Sequence, residues 1–276
     1  MRNQFESQAL TNVDREKAHD RAKETLADRI DISNFADIYP PEKIKVDSEK
    51  VRQLKEKFHS RETPEETRMK KTADILEAIV FKQGELSQWF GEDAVTFGAS
   101  DFDDIMNGID MLVRFHLPER SGFEDLALGV DVTFTSDTTN KFGEILGQID
   151  DGKLAHMDYC PSDGVSKKGF KGNLPKVIIG VEKRTVDELQ ELWMGREQRA
   201  LEKHRIQIMI LKEIELQLET FSLYAISKGR EDLADIYDSL LRIIKKILAE
   251  KSELYKKVAS DLDTDTVFFS ITSYMR

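Results

Sequence analysis

The apolar positions of this chain change their period several times, and each change marks an element. Residues 14–29 and 47–59 are charge-rich with thin apolar faces, and the breaker Tyr39-Pro40-Pro41 lies between them. Both read as short helices of an N-terminal arm. Thr63-Pro64-Glu65-Glu66 opens a longer helix, with Thr63 as N-cap, Pro64 at the first helical position and Glu66 closing a capping box. Ile75, Leu76, Ile79, Val80 and Leu86 keep helical spacing as far as Trp89-Phe90, and Gly91 is the expected stop. Three strands are then predicted over 94–98, 109–115 and 126–135, the last rich in branched and aromatic residues. Residues 138–150 return to a helical period. A Gly- and Lys-rich loop over 164–172 leads to a strand at 176–182, whose VIIGV run suits a strand buried on both faces.

From Thr185 the pattern is helical. Thr185-Val186-Asp187-Glu188 opens a stretch predicted to run to Lys228-Gly229, with a seam of Leu189, Leu192, Ala200, Ile208, Leu211, Leu218 and Ala225. A second helix carries Leu233, Ile236, Leu240, Ile244, Ile247, Leu254 and Val258 near an a/d pattern. The two form an expected antiparallel hairpin. Its seam is read as packing on the α/β part of the same chain, with a homodimer or protein partner as the alternative. The tail VFFSITSYM reads as a short strand or extended arm. The expected fold class is thus α/β: an N-terminal helical arm (1–62), an αβββαβ core (63–184), and a C-terminal long helical hairpin with its tail (185–276).

Composition narrows the function classes. In 276 residues, 39% hydrophobic and 34% charged with 15 Gly and 6 Pro exclude a collagenous or largely disordered chain. No apolar run approaches the roughly 20 residues of a membrane helix, and the start, Met1-Arg2-Asn3-Gln4-Phe5-Glu6, has no apolar signal core. The single cysteine, Cys160, excludes a disulfide framework and a multi-cysteine zinc site. The expectation is a soluble, cytoplasmic protein without a membrane partner. The net charge of −11 is uneven: residues 75–160 hold 17 acidic and 5 basic side chains, a net of −12. A pI near 5.1 argues against a broad nucleic-acid-coating surface but leaves room for a narrow basic groove. The acidic segment is either a solvated face or a set of carboxylates converging on a divalent cation.

Strands exclude charge unless a partner or a task keeps it there. Asp110 in GIDMLV and Asp131 in LGVDVTF break that rule, and Glu77 interrupts the apolar stripe of the preceding helix. On adjacent strands the two aspartates would raise each other's pKa, and a shared divalent metal would relieve the repulsion. A helix Glu, Gly-x-Asp on one strand, Asp on the next, then a helix and a strand resembles the PD-(D/E)xK nuclease superfamily, over residues 63–182. The resemblance implies a restriction-endonuclease-like core. It also implies an Mg²⁺ or Mn²⁺ site on Glu77, Asp110 and Asp131, and phosphodiester hydrolysis in nucleic acid, with DNA ahead of RNA. The family's strand lysine should stand at 133, where this chain has Thr133. The family tolerates a migrated lysine, and Lys141 is the candidate, in the first turns of the next helix; Lys153 and Lys183 rank below it. Gln148, two turns beyond Lys141 on the same face, resembles the helix Gln of RecB-like members, although Gly152 stands where their Tyr would be. The resemblance therefore implies Glu77, Asp110, Asp131 and Lys141 as catalytic residues. Thr133 keeps a second class open, an inactive nuclease-fold protein that binds or assembles.

Other signals compete. Gly98-Ala99-Ser100 before Asp110 imitates a polymerase-β-like nucleotidyltransferase, but the second aspartate that two-metal transfer needs falls at Leu112. Asp101, Asp103 and Asp104 read first as caps of a turn or short helix before Gly108, and only secondarily as approaching a metal. Lys167-Lys168-Gly169-Phe170-Lys171-Gly172 is too loose for a P-loop and reads as a solvated loop or a backbone contact. Cys160, with only His156 nearby in sequence, reads as a packed thiol. Trp89 and Trp193 read as core or interface fillers.

Overall fold

The computed structural model describes residues 2–60, 62–116, 126–162 and 168–275. The chain is mixed α/β, with one small mixed sheet and helices around it. After α1 (Arg2–Leu26), a 3-10 turn (Ile32–Phe35) and α2 (Pro41–His59), α3 (Pro64–Leu86) leads to β1 (Ala94–Gly98). Then follow α4 (Asp101–Asn107), β2 (Met111–Phe115), β3 (Leu126–Thr133), α5 (Thr139–Asp150), β4 (Ala155–Cys160), β5 (Gly169–Leu174) and β6 (Lys176–Gly180). The C-terminal part holds α6 (Lys183–Met194), α7 (Gln198–Leu201), α8 (Ile206–Ser227), α9 (Glu231–Glu250), α10 (Ser252–Val258) and α11 (Thr266–Tyr274).

The main sheet has the order β1-β2-β3-β6. β1 and β2 pair antiparallel, as do β2 and β3, and β3 pairs parallel with β6 across the α5 connection. The expected strands at 94–98, 109–115, 126–135 and 176–182 are all present in this sheet, the last three shortened at their ends. Met111, Val113 and Phe115 with Leu126, Leu128 and Val130 join the main core with α3, α8 and α9, while Leu112 and Ala127 pack on Ala155, Met157, Cys160 and Leu174 of β4 and β5. The Thr63 capping box forms as expected: Thr63 Oγ1 accepts from Glu66 N (3.2 Å) and Glu66 Oε2 from Thr63 N (2.6 Å).

Both sheet edges are closed within the chain, which removes the templates for strand addition that open edges offer. On β6, Gln217 of α8 donates to Ile178 O (2.6 Å) and accepts from Ile178 N (2.8 Å), and Glu213 accepts from Gly180 N (3.0 Å). On β1, Glu85 accepts from Thr96 N (2.9 Å) and Gly98 O accepts from Ile30 N (3.1 Å).

Several expectations are corrected. The helix over 63–90 stops at Leu86, because Gln88 takes a left-handed conformation (φ 50) and Trp89 turns inward to donate to Leu201 O. The Gly- and Lys-rich loop is in part a strand: Gly169–Leu174 pairs antiparallel with Ala155–Cys160; Lys167 lies outside the described residues. The single helix over 185–228 is three, interrupted where Arg196 is left-handed (φ 58) and again before Ile206. The second helix breaks at Lys251. The tail is helical, not extended, because Asp265 caps α11 by accepting from Val267 N (3.0 Å) and Phe268 N (3.1 Å). The antiparallel pair is α8 and α9, whose Leu211, Leu218, Leu240 and Ile244 are fully buried in the core shared with the sheet. Among the described residues no helix is long and apolar enough to cross a membrane.

Candidate functional site

At one end of the sheet, four carboxylates from four segments meet three cationic side chains. Asp110 directly precedes β2 rather than lying in it, yet stays tied to the ladder: its N–H donates to Val130 O (2.9 Å) and its Oδ2 accepts from Val132 N (2.6 Å). Asp131 sits on β3 and is 6% exposed. Lys141, in the first turn of α5, donates to Asp131 Oδ1 at 2.6 Å. Glu77 projects from α3 and is ion-paired with Arg29, which follows α1. Asp104 of α4 takes the other guanidinium nitrogen at 3.2 Å, and Asp101 lies 3.7 Å from it.

Local sequence sets this geometry. Ser100 caps α4 by accepting from Asp103 N (3.1 Å), and Gly108 ends the helix in the left-handed region (φ 60), where glycine carries no Cβ penalty. A Cβ there would lie 2.7 Å from Lys176 Nζ and 3.9 Å from Asp131 Oδ2, so Gly108 lets the turn close over both. The three aspartates of α4 divide their work. Asp103 is fully buried and accepts from Asp158 N, Tyr159 N and Asn107, tying α4 to β4. Asp101 pairs with Lys55 of α2 (2.6 Å), and Asp104 faces the cluster.

Burial raises the carboxyls of Glu77, Asp104 and Asp110. Burial, and then Glu77, Asp104 and Asp131, hold the Asp110 carboxyl well above the usual aspartate range against the pull of the Val132 N–H. Burial also raises Asp104, with Arg29 opposing and Asp101 adding. Glu77 is pushed up to about 7, chiefly by burial, with Arg29 opposing and Asp104 adding.

The sequence missed two of these residues, Lys176 and Arg29. Lys176, at the head of β6 and 5% exposed, holds its Nζ 3.7 Å from Asp131 Oδ2. A lysine opening a buried strand is the same anomaly that singled out Asp131, and could have been read. Asp104 was read first as a cap and only secondarily as approaching a metal. Arg29 carried no local signal, and the arm that supplies it was read as free of chemistry. Lys183 instead pairs with Asp187 (2.6 Å) on an exposed helix face. Gln148 and Lys153 make no described side-chain hydrogen bond or ion pair to the cluster. Thr133 is buried and shares a hydrogen bond with the Thr135 hydroxyl (3.2 Å). Cys160 is buried against Arg114, while His156 turns to Asp158 (3.5 Å). Leu112 is fully buried in the sheet.

The donor set is all oxygen, the chemistry of a hard divalent cation. Among the described residues, however, no three acidic, histidine or cysteine side chains already stand at ligand spacing for one ion; Arg29 and Lys141 hold oxygens of Glu77, Asp104 and Asp131. Comparison with known protein families, with curated proteins and with solved structures found no match.

Proposed function

We propose that this chain is a divalent-cation-dependent nuclease with a restriction-endonuclease-like core, hydrolysing phosphodiester bonds in nucleic acid, DNA ahead of RNA. The observation that carries this reading is the antiparallel, antiparallel, parallel sheet β1-β2-β3-β6, with Asp110 and Asp131 at a shared end and Lys141 Nζ 2.6 Å from Asp131. Glu77, Asp110 and Asp131 are the residues that would hold Mg²⁺ or Mn²⁺, with Asp104 beside them. Their oxygens fit a hard cation, and the mutual repulsion around Asp110 is what such a charge relieves. When bound, the ion supplies charge stabilisation at a phosphoryl oxygen and acidifies water. Lys141, partly exposed, orients Asp131 and brings a positive charge toward an incoming phosphate. Lys176, buried behind it, balances the second Asp131 oxygen.

Thr133 and the Arg29–Glu77 pair favour a second reading, a nuclease-fold protein that binds nucleic acid without cutting it. A cleavage assay on duplex DNA, single-stranded DNA and RNA with Mg²⁺ or Mn²⁺ separates the two. The nuclease reading expects metal-dependent cleavage of at least one substrate, lost in Asp131→Asn. Intact substrates throughout, with nucleic acid still bound, would leave only the second reading.

A further inference from the structure

We infer that the N-terminal arm carries a built-in competitor for the cation site, with the Arg29 guanidinium standing on carboxylates that a divalent ion would take. The inference rests on the cation reading above and adds regulation by this chain's own strap. Arg29 is 15% exposed in its side chain and Glu77 12%, so the pair is largely shielded from water. Its two terminal nitrogens are both engaged, one on Glu77 and the other 3.2 Å from Asp104. A divalent ion on these carboxylates would meet the guanidinium charge at close range in a site shielded from water, so binding of either disfavours the other there.

The strap is anchored on both sides, and in the middle one backbone bond and the partly buried Ile30 side chain hold it. Before it, α1 packs on α3 through Ala18 and Ala22, with His19 2.9 Å from Asp74. After it, Phe35 and Tyr39 pack edge-on against Tyr159 with ring centroids 5.3 Å away. Between these anchors, the backbone of residues 27–31 is held to the sheet by the Ile30 N to Gly98 O bond (3.1 Å). An ideal Cβ on Gly98 would lie 2.8 Å from Arg29 Cγ, so the strap lies directly on β1 there. Arg29 can therefore withdraw by a local opening of the strap, with the helices on either side left in place. A divalent ion that displaces it exchanges one delocalised positive charge for two concentrated ones among the same carboxylates.

The test combines calorimetric Mn²⁺ titration of wild type and Arg29→Gln with amide hydrogen exchange on the wild-type chain. Arg29→Gln is expected to bind Mn²⁺ about tenfold tighter or more, within the usual range for coupling between two opposing binding events. In wild type, saturating Mn²⁺ is expected to speed exchange of the Ile30 amide as the strap opens. Wild-type binding with equal or weaker affinity in the variant overturns the competitor. Tighter binding with Ile30 exchange unchanged also overturns it, leaving only a through-space charge effect. No Mn²⁺ binding by either protein removes the cation reading itself and the competitor with it. The exchange measurement needs no variant and stands if Arg29→Gln fails to fold.

Discussion

Replacing Gln217 with alanine tests how the sheet is closed. The Gln217 side chain is fully buried and satisfies both outward-facing groups of Ile178, donating at 2.6 Å and accepting at 2.8 Å. In Gln217→Ala the Ile178 N–H and C=O lose their partners where water has no ready access. Each orphaned buried group costs about 1–3 kcal/mol, so the loss should be about 2–6 kcal/mol. Glu213→Gln, one turn earlier, provides the contrast. Burial holds the Glu213 carboxyl well above the usual glutamate range, so a neutral amide of the same outline should replace it at low pH with a change under about 1 kcal/mol. The sign with pH follows from the raised value. The stabilisation from protonated Glu213 is full below the unfolded value of about 4.3 and is lost as pH rises through the folded one. Glu213→Gln should therefore flatten the alkaline side of the stability profile. Guanidinium denaturation followed by far-UV circular dichroism, at several pH values, reads both effects, with Leu223→Ala, 63% exposed, as a control expected within about 0.5 kcal/mol of wild type. A Gln217→Ala midpoint matching that control would show that Gln217 does not close the β6 edge.

Three further outcomes are expected. Burial, with Arg205 adding, lowers the His204 pKa to about 4, and its neutral Nδ1 accepts from Ile206 N (3.2 Å). Because the folded value lies below the unfolded one of about 6.5, stability should fall as pH drops from there toward 4. The loss should be about 2–3 kcal/mol, read as a melting temperature that His204→Gln renders less pH-dependent. Gly108→Ala should cost about 1–2 kcal/mol from its left-handed backbone, while Lys176 Nζ, the end of a flexible side chain, shifts aside for the new Cβ; an unchanged melting temperature would contradict that geometry. Leu240→Asp should lose about 3 kcal/mol or more, from lost burial and an introduced buried charge, measurable in the same denaturation.

The strands of the main sheet were legible because most of their residues are apolar on both faces, so even short runs such as VIIGV stand out. The β4–β5 pair was not, since HMDY and FKGN carry neither alternation nor a continuous apolar run, and their pairing is interrupted by register shifts. The C-terminal helix was hidden by its branched and aromatic residues, although Asp265 two residues before them was a readable cap. In the site, Glu77, Asp110 and Asp131 showed themselves as charges in apolar surroundings. Arg29 and Asp104 sit in polar sequence, and only the packing of α1 and the turn before β2 bring them in.

The carboxylates around Asp110 and Asp131 are proposed to take a divalent cation. Calorimetric titration of Mn²⁺ into wild type, Asp110→Ala and Asp131→Ala tests it most directly. Wild type is expected to bind saturably, and both substitutions to abolish the binding. Binding indifferent to both substitutions, or none by wild type, would contradict it.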